Sequence, residues 1–378
     1  MRIMTYLPEL EAAGGVALHT LQVSSELVAR GHQIDLFYER DGDLTDEFRS
    51  FCEVVSRGPS PVYSASPGAD IARIVPRVCA ASRRRPDIVY ANNMSELLWA
   101  DGIRALTRAP IVCHLHEFRP FSRVSMSTLG MPVNRFVTAS RFMRDIWSQH
   151  GLSADRIEVI PNGFALSAYP RGSVADRLKS REMLRLPADA YVVLYMGRII
   201  PEKGVDVLVD AWARLGLLPE HARLLIVGVP SGSNDYVRGL QAKAPPGCEW
   251  LPMRRDVVTV LHAADVLVLP AVWDEPFGRV IVEAMATGRP AVASAVGGIP
   301  EILEGEFSRM LVPRGDASAL AERLKALVTW RREDPELENR CVNYVAQRYA
   351  LADVVTRLES IFVDAIQHRK PEWSRLRA

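Results

Sequence analysis

Short runs that are almost wholly apolar alternate along the chain with stretches whose apolar residues recur at helical spacing. Arg2–Leu7, Gln33–Tyr38, Asp87–Tyr90, Pro110–His114, Asn134–Ala139 and Arg156–Ile160 read as strands. After a gap the pattern resumes with Tyr191–Met196, Arg223–Val227, Asp265–Leu269, Pro290–Ser294 and Arg309–Val312. Apolar runs without alternation fit parallel strands buried on both faces. In the helix predicted over Val16–Arg30, Leu18, Leu21, Ser25 and Val28 share helical spacing. Strand–helix repetition of this kind predicts α/β architecture with two doubly wound, Rossmann-like parallel sheets.

The break between them is placed after Val159-Ile160-Pro161-Asn162-Gly163. Phe164–Asp189 is polar and punctuated by Pro170, Gly172 and Pro187, which reads as a hinge with one short helical piece near Ser180–Arg185. The expected domains are residues 1–168 and 169–350, with Pro335–Gln367 as two helices that no strand follows. The tail Lys370–Ala378 is basic and polar.

Composition narrows the class. Of 378 residues, 48% are hydrophobic and 24% charged, a globular balance. Lys and Arg total 46 against 45 Asp and Glu, so no global field favours nucleic acid. No apolar run approaches the roughly 20 residues of a bilayer span. The apolar start Met1–Leu7 stops at Pro8 without the pattern of a secretory signal. The five cysteines have no paired spacing, which argues against a zinc site or disulfide framework. A cytoplasmic protein is expected.

Four segments carry candidate chemistry. In Glu275-Pro276-Phe277-Gly278-Arg279-Val280-Ile281-Val282-Glu283, Glu275 is predicted in a strand-to-helix loop and Glu283 two turns inside the helix. Ligands bind open α/β sheets at such loops, where a helix N-terminus offers free N–H groups to phosphate. A carboxylate can accept two hydroxyl hydrogen bonds from a ribose or hexose. The bland alternative is a helix-stabilising Glu275 and an ion-paired Glu283. In Gly197-Arg198-Ile199-Ile200-Pro201-Glu202-Lys203-Gly204, Arg198 and Lys203 could converge on a diphosphate without metal, or be ordinary surface cations. Gly14-Gly15, before the first helix, permits positive φ and close backbone approach to a ligand, or simply a tight turn. In His114-Leu115-His116-Glu117, period two puts both histidines on one side, with His116 at the strand's carboxyl end. Nothing else in the sequence completes a metal set around them, and His19 reads as structural or solvated. Asp41-Gly42-Asp43 has the form of a metal-binding Asp-x-Asp, but a solvated turn is the better reading.

Taken together, Glu275–Glu283, Gly197-Arg198 with Lys203-Gly204, and Gly14-Gly15 resemble the family-4 retaining glycosyltransferases. Pro161-Asn162-Gly163, Ala139-Ser140 and Val296-Gly297-Gly298-Ile299-Pro300-Glu301 fit as well. The resemblance covers nearly the whole chain, with the C-terminal motifs the more specific. It implies a GT-B fold, two Rossmann-like domains facing across a cleft, with the final helix, about 351–370, packing back onto the first domain. By that resemblance Arg198 and Lys203 contact the donor diphosphate and Glu283 the ribose hydroxyls. Glu275 would hold the transferred sugar, assisted by backbone N–H groups of Phe277 and Gly278. His116, followed by Glu117, matches the active-site histidine, and Gly14 and Gly15 border donor phosphate and acceptor.

The implied reaction is hexosyl transfer, with retention, from a nucleotide diphosphate sugar to a hydroxyl acceptor. The sugar nucleotide is a co-substrate, and no cofactor and no metal are implied. UDP-sugars are the lean, and a front-face route fits because no covalent nucleophile can be named. Rival readings are a sugar-nucleotide epimerase of the same architecture and a non-catalytic sugar-nucleotide-binding protein. A nicotinamide dehydrogenase lacks its glycine fingerprint here. Arg83-Arg84-Arg85 and the basic tail could attract anionic lipid weakly. The acceptor would be shaped by loops such as Arg119–Pro132, and Met253, Arg254 and Arg255 lie where relatives hold the base.

Overall fold

The computed structural model describes residues 1–12, 15–58, 67–118, 132–230 and 234–368. The chain divides into two compact units, residues 1–163 with 351–378, and residues 164–350. Each is built on a parallel sheet.

The first sheet contains β1 (Arg2–Glu9), β2 (Gln33–Arg40), β3 (Val54–Arg57), β4 (Ile88–Ala91), β5 (Ile111–His114), β6 (Arg135–Thr138) and β7 (Ile157–Val159). Their spatial order is β3-β2-β1-β4-β5-β6-β7. β1 is central, with Ile3 opposite Ile34 on one side and Ile88 on the other. The second sheet contains β8 (Tyr191–Met196), β9 (Ala222–Val227), β10 (Cys248–Leu251), β11 (Val266–Leu269), β12 (Ala291–Ser294) and β13 (Leu311–Val312). Its order is β10-β9-β8-β11-β12-β13. Every residue of β8, β11 and β12 is buried, as strands covered by helices on both faces require. The doubly wound expectation therefore holds for both units.

Two strands were missed by the apolar pattern, and they occupy equivalent places. β3 and β10 each close the outer edge of a sheet, beside β2 and β9. β10 is only half-buried along its length, and β3 is half-buried or exposed, so neither presents the continuous apolar run of a central strand.

In the segment read as a hinge, the helical piece expected near Ser180–Arg185 is longer and begins earlier. Helix Val174–Met183 starts with a capping box between Ser173 and Asp176, and its Arg181 is buried. Arg181 donates to Asp265 Oδ2 at 2.8 Å and to the carbonyls of Ala263, Ala188 and Ala190. The polar composition of the segment is compatible with this packing because Arg181 is satisfied inside the second unit.

Helix Leu351–Gln367 belongs to the first unit. Arg30, at the end of helix Val16–Ala29, reaches Glu359 Oε2 at 3.2 Å and the Ala352 carbonyl at 2.7 Å. Phe362 meets the Tyr90 ring edge-on, with centroids 5.3 Å apart.

In both sheets the strand order reverses beside the central strand, between β1 and β4 and between β8 and β11. The crevice outside the carboxyl ends of such a pair is where open α/β sheets bind ligands.

Candidate active site

In the second unit the reversal places the loop after β8 beside the loop after β11. Pro201–Lys203 forms a single tight turn and Gly204 follows with φ 67°. A Cβ at Gly204 would lie 2.0 Å from the Pro270 carbonyl oxygen, so only glycine lets the loops meet this closely. The Val272 amide donates to the Glu202 carbonyl at 3.0 Å, joining them further.

This contact brings Lys203 and Glu275 together: the ammonium donates to Glu275 Oε1. Trp273 Nε1 donates to Glu275 Oε2 at 2.7 Å, so both carboxylate oxygens are engaged. Lys203 Nζ also stands 5.6 Å from the Trp273 ring centroid. A third loop holds the backbone, with Gly298 N donating to the Glu275 carbonyl at 2.8 Å. Arg198 lies on the same loop as Lys203, its side chain exposed and its carbonyl bonded by the Tyr195 hydroxyl at 2.6 Å.

Gly278 caps helix Arg279–Ala286 in a left-handed conformation, φ 108°. Phe277 is buried between Phe164 and Tyr349, with centroids 6.4 and 5.8 Å away. Glu283 is buried one turn from Arg279, whose guanidinium nitrogen is 3.6 Å from Glu283 Oε1. Burial pushes the Glu283 carboxyl upward, against the opposing pull of Arg279 and a hydrogen bond with Tyr169. Arg279 in turn stacks over the Phe164 ring at 4.5 Å. Trp273, Tyr169, Arg279 and Phe164 were not singled out from the sequence. Trp273 was the most accessible, since it stands two residues before Glu275.

In the first unit, Gly15 takes φ 65° as the residue before helix Val16–Ala29. Gly14, the loop Arg119–Met131 and the tail Lys370–Ala378 lie outside the described residues. Asn92, at the end of β4, ties the reversal point together by donating to Thr5 Oγ1 and the Tyr6 carbonyl, both at 2.9 Å, while accepting from Thr20 at 3.2 Å. The Asn92 amide is received by Glu96, whose carboxyl burial pushes up to about 8.

His114 and His116 do share a side: their rings stack with centroids 3.8 Å apart. The reading that nothing completes a ligand set around them is corrected here. His19 is buried on the adjoining helix, its ring edge-on to His114 at 5.1 Å and to His116 at 5.0 Å. One ligand atom from each of the three lies within 4.8 Å of the others. No short motif could have announced this, because helix and strand meet only through the sheet topology. Burial, with His116 and His19 nearby, drives the His114 pKa well below its usual value, so the ring is neutral. Tyr90 Oη lies 2.7 Å from its Nδ1.

Asp41 is exposed and Asp43 half-buried at a turn, and both also brace the structure around it. Asp41 accepts from the Tyr38 hydroxyl at 2.8 Å and pairs with Arg57 at 3.0 Å. Asp43 Oδ1 accepts from the Ala12 amide at 2.9 Å, pinning the loop after β1.

Comparison with known proteins bears on what this arrangement does. The family model described as Glycosyltransferase Family 4 matches residues 13–168, and Glycosyl transferases group 1 matches residues 176–348. A D-inositol 3-phosphate glycosyltransferase of Xylanimonas cellulosilytica is 37% identical over 84% of this chain and 84% of its own. Another, from Corynebacterium efficiens, is 32% identical over 95% of this chain and 92% of its own. Among solved structures, Anabaena HepE in complex with UDP and glucose superposes with a TM-score of 0.82 at 24% identity. That match covers 95% of this chain and 98% of the other. At that identity the likeness is one of fold. No described helix is long and apolar enough to cross a membrane.

Proposed function

This chain belongs to the family-4 glycosyltransferases of the GT-B fold, and we propose that it moves a hexosyl unit from a UDP-sugar to a hydroxyl acceptor. Transfer proceeds with retention, without metal, by a front-face route. The observation that carries this reading is Glu275, held at both oxygens by Lys203 and Trp273 outside the β8–β11 reversal.

Breaking the bond from the anomeric carbon to the diphosphate oxygen places negative charge on the leaving group. Lys203 and Arg198 lie on one loop and stabilise that charge as it develops. Glu275 holds hydroxyls of the sugar, which becomes oxocarbenium-like, and orients it for attack. The acceptor oxygen bonds to the anomeric carbon on the face the diphosphate leaves, and its proton passes to the leaving phosphate oxygen. Glu275 is charge-compensated and anchored, which suits positioning better than covalent attack. Phe277 and Gly278 present backbone N–H groups at the helix start to the donor. Glu283 receives the ribose hydroxyls, exchanging its contact with Arg279 for them. His116 serves as the family's active-site histidine, with Gly14 and Gly15 bordering donor phosphate and acceptor.

The UDP preference is supported by Anabaena HepE, solved with UDP and with UDP-glucose. Thermal-shift titration with UDP, GDP and ADP tests it, because a ligand that binds only the folded state raises Tm by mass action. UDP should give the selective shift, diminished in Glu283→Ala and Lys203→Ala. Transfer from UDP-sugars is then assayed with hydroxyl acceptors, D-inositol 3-phosphate among them, and product configuration read by NMR. A selective shift by another nucleotide would overturn the UDP assignment. An inverted product, or a glycosyl-enzyme trapped on Glu275, would overturn the route.

A further inference from the structure

The histidine group of the first unit has a chemistry that the transfer reaction does not call for. His19 is set on helix Val16–Ala29 in its first turn, its amide donating to the Gly15 carbonyl at 3.0 Å. His114 ends β5 and His116 follows two residues later, so the stacked pair and the helical ring converge from two elements. We propose that His19, His114 and His116 form a binding site for a borderline divalent cation, Zn(II) being the ion their chemistry favours, and that filling it withdraws His116 from transfer. The second half rests on the role given to His116 above; the site itself does not.

Three observations carry it. One ligand atom from each ring lies within 4.8 Å of the other two. Tetrahedral zinc with Zn–N bonds near 2.0–2.1 Å needs nitrogens about 3.4 Å apart, so His116 would turn out of its stack on His114, 21° from parallel, to close the set. His114 Nε2 is buried with no hydrogen-bond partner among the described residues. A buried ring nitrogen of that kind calls for a partner, and a cation supplies one. Finally, the other nitrogen of His114 is met by the Tyr90 hydroxyl at 2.7 Å. Ligating histidines have their second nitrogen fixed in this way, and a tyrosine oxygen can accept from the Nδ1–H that coordination through Nε2 requires.

Donor type selects the ion. An all-imidazole set suits zinc, copper, iron or nickel, whereas magnesium, calcium and manganese prefer oxygen ligands. Cys113 lies between the strand positions of this face, so strand alternation turns it to the other side of the sheet. Three protein ligands leave a fourth position for water.

The test is titration of the chelator-treated full chain with Co(II), followed by competition with Zn(II). One Co(II) should bind per chain, with the intense visible bands of four-coordinate cobalt and no thiolate charge-transfer band, and Zn(II) should displace it. His19→Phe and His114→Phe should abolish stoichiometric binding, and Tyr90→Phe should weaken it by about 10–100-fold. Because the three altered residues belong to the first unit, a parental circular-dichroism spectrum and retained cooperative thermal unfolding of the whole chain confirm that the variants fold. Zn(II) should also suppress sugar transfer by the unaltered chain, and His19→Phe should lose that sensitivity whatever its own rate. Failure of the folded chain to bind either ion, binding indifferent to both histidine variants, or a thiolate band would overturn the site and leave the transfer reading untouched. Stoichiometric binding without loss of transfer would overturn the withdrawal of His116 and count against its role in the reaction.

Discussion

Lys203 donates to Glu275 across 72 positions of sequence, and both side chains are largely buried at 13% and 9% exposure. Removing one member of such a pair strands the other charge. Lys203→Met is expected to destabilise the protein by about 3–5 kcal/mol. Lys203→Met with Glu275→Gln should recover much of that loss, because no uncompensated charge remains. A double-mutant cycle of denaturant midpoints measures the coupling, and strictly additive effects would show that the pair does not act as a unit.

Trp273 donates to the other Glu275 oxygen at 2.7 Å. Trp273→Phe keeps an aromatic ring and deletes the donor. A hydrogen bond to a charged group contributes about 1.5–3 kcal/mol. If its work is to aim the carboxylate at the transferred sugar, kcat should fall roughly 10–100-fold while UDP affinity holds. Steady-state kinetics beside UDP calorimetry separates the two. An equal loss in nucleotide affinity would move Trp273 from aiming the sugar to building the nucleotide pocket.

Gly297 and Gly216 have nearly the same left-handed backbone, φ 57° and 61°. They differ in surroundings. A Cβ at Gly297 would lie 2.2 Å from the Glu275 carbonyl oxygen, whereas at Gly216 nothing stands within 4 Å. Gly216→Ala should therefore cost about 1–2 kcal/mol, the backbone strain alone. Gly297→Ala should cost more and weaken donor binding by displacing the Glu275 loop. Equal unfolding free energies in the two variants would refute the role assigned to this close approach.

Glu96 has its carboxyl raised from its usual 4.5 to about 8 by burial, against the opposing amides of Asn92 and Asn93. Between those values the folded chain holds a proton that the unfolded chain has released, so stability falls as pH rises through this window. His114 acts in the opposite sense: its folded pKa lies well below 6.5, so stability is lost as pH falls below that value. Above pH 6.5 the His114 effect is spent and the Glu96 effect remains. Glu96→Gln, which mimics the protonated acid, should gain stability over the parent as pH rises from about 6.5 to about 8, by at most about 1.4 kcal/mol per unit, and then level off. Urea midpoints across that range check the sign. A constant difference between the two proteins would show that Glu96 is already ionised.

Much of the fold was legible because burial leaves a local record. Strands such as Tyr191–Met196 lie between helices and are apolar at every position, and Glu275 in its loop and Glu283 in its helix follow from short-range signals. Edge strands Val54–Arg57 and Cys248–Leu251 left no such record, since none of their residues is fully buried. In the polar run Phe164–Asp189 the helical piece expected near Ser180–Arg185 proved longer and earlier, Val174–Met183, because its buried Arg181 finds a partner at Asp265. The site's pairings were less legible still. Lys203 with Glu275, and His19 with His114 and His116, are joined by strand order rather than by spacing in the chain. Residue type and periodicity determined which elements form and which of their ends carry polar chemistry. Only the tertiary structure, by reversing the strand order beside β1 and β8, decided which of those ends would meet.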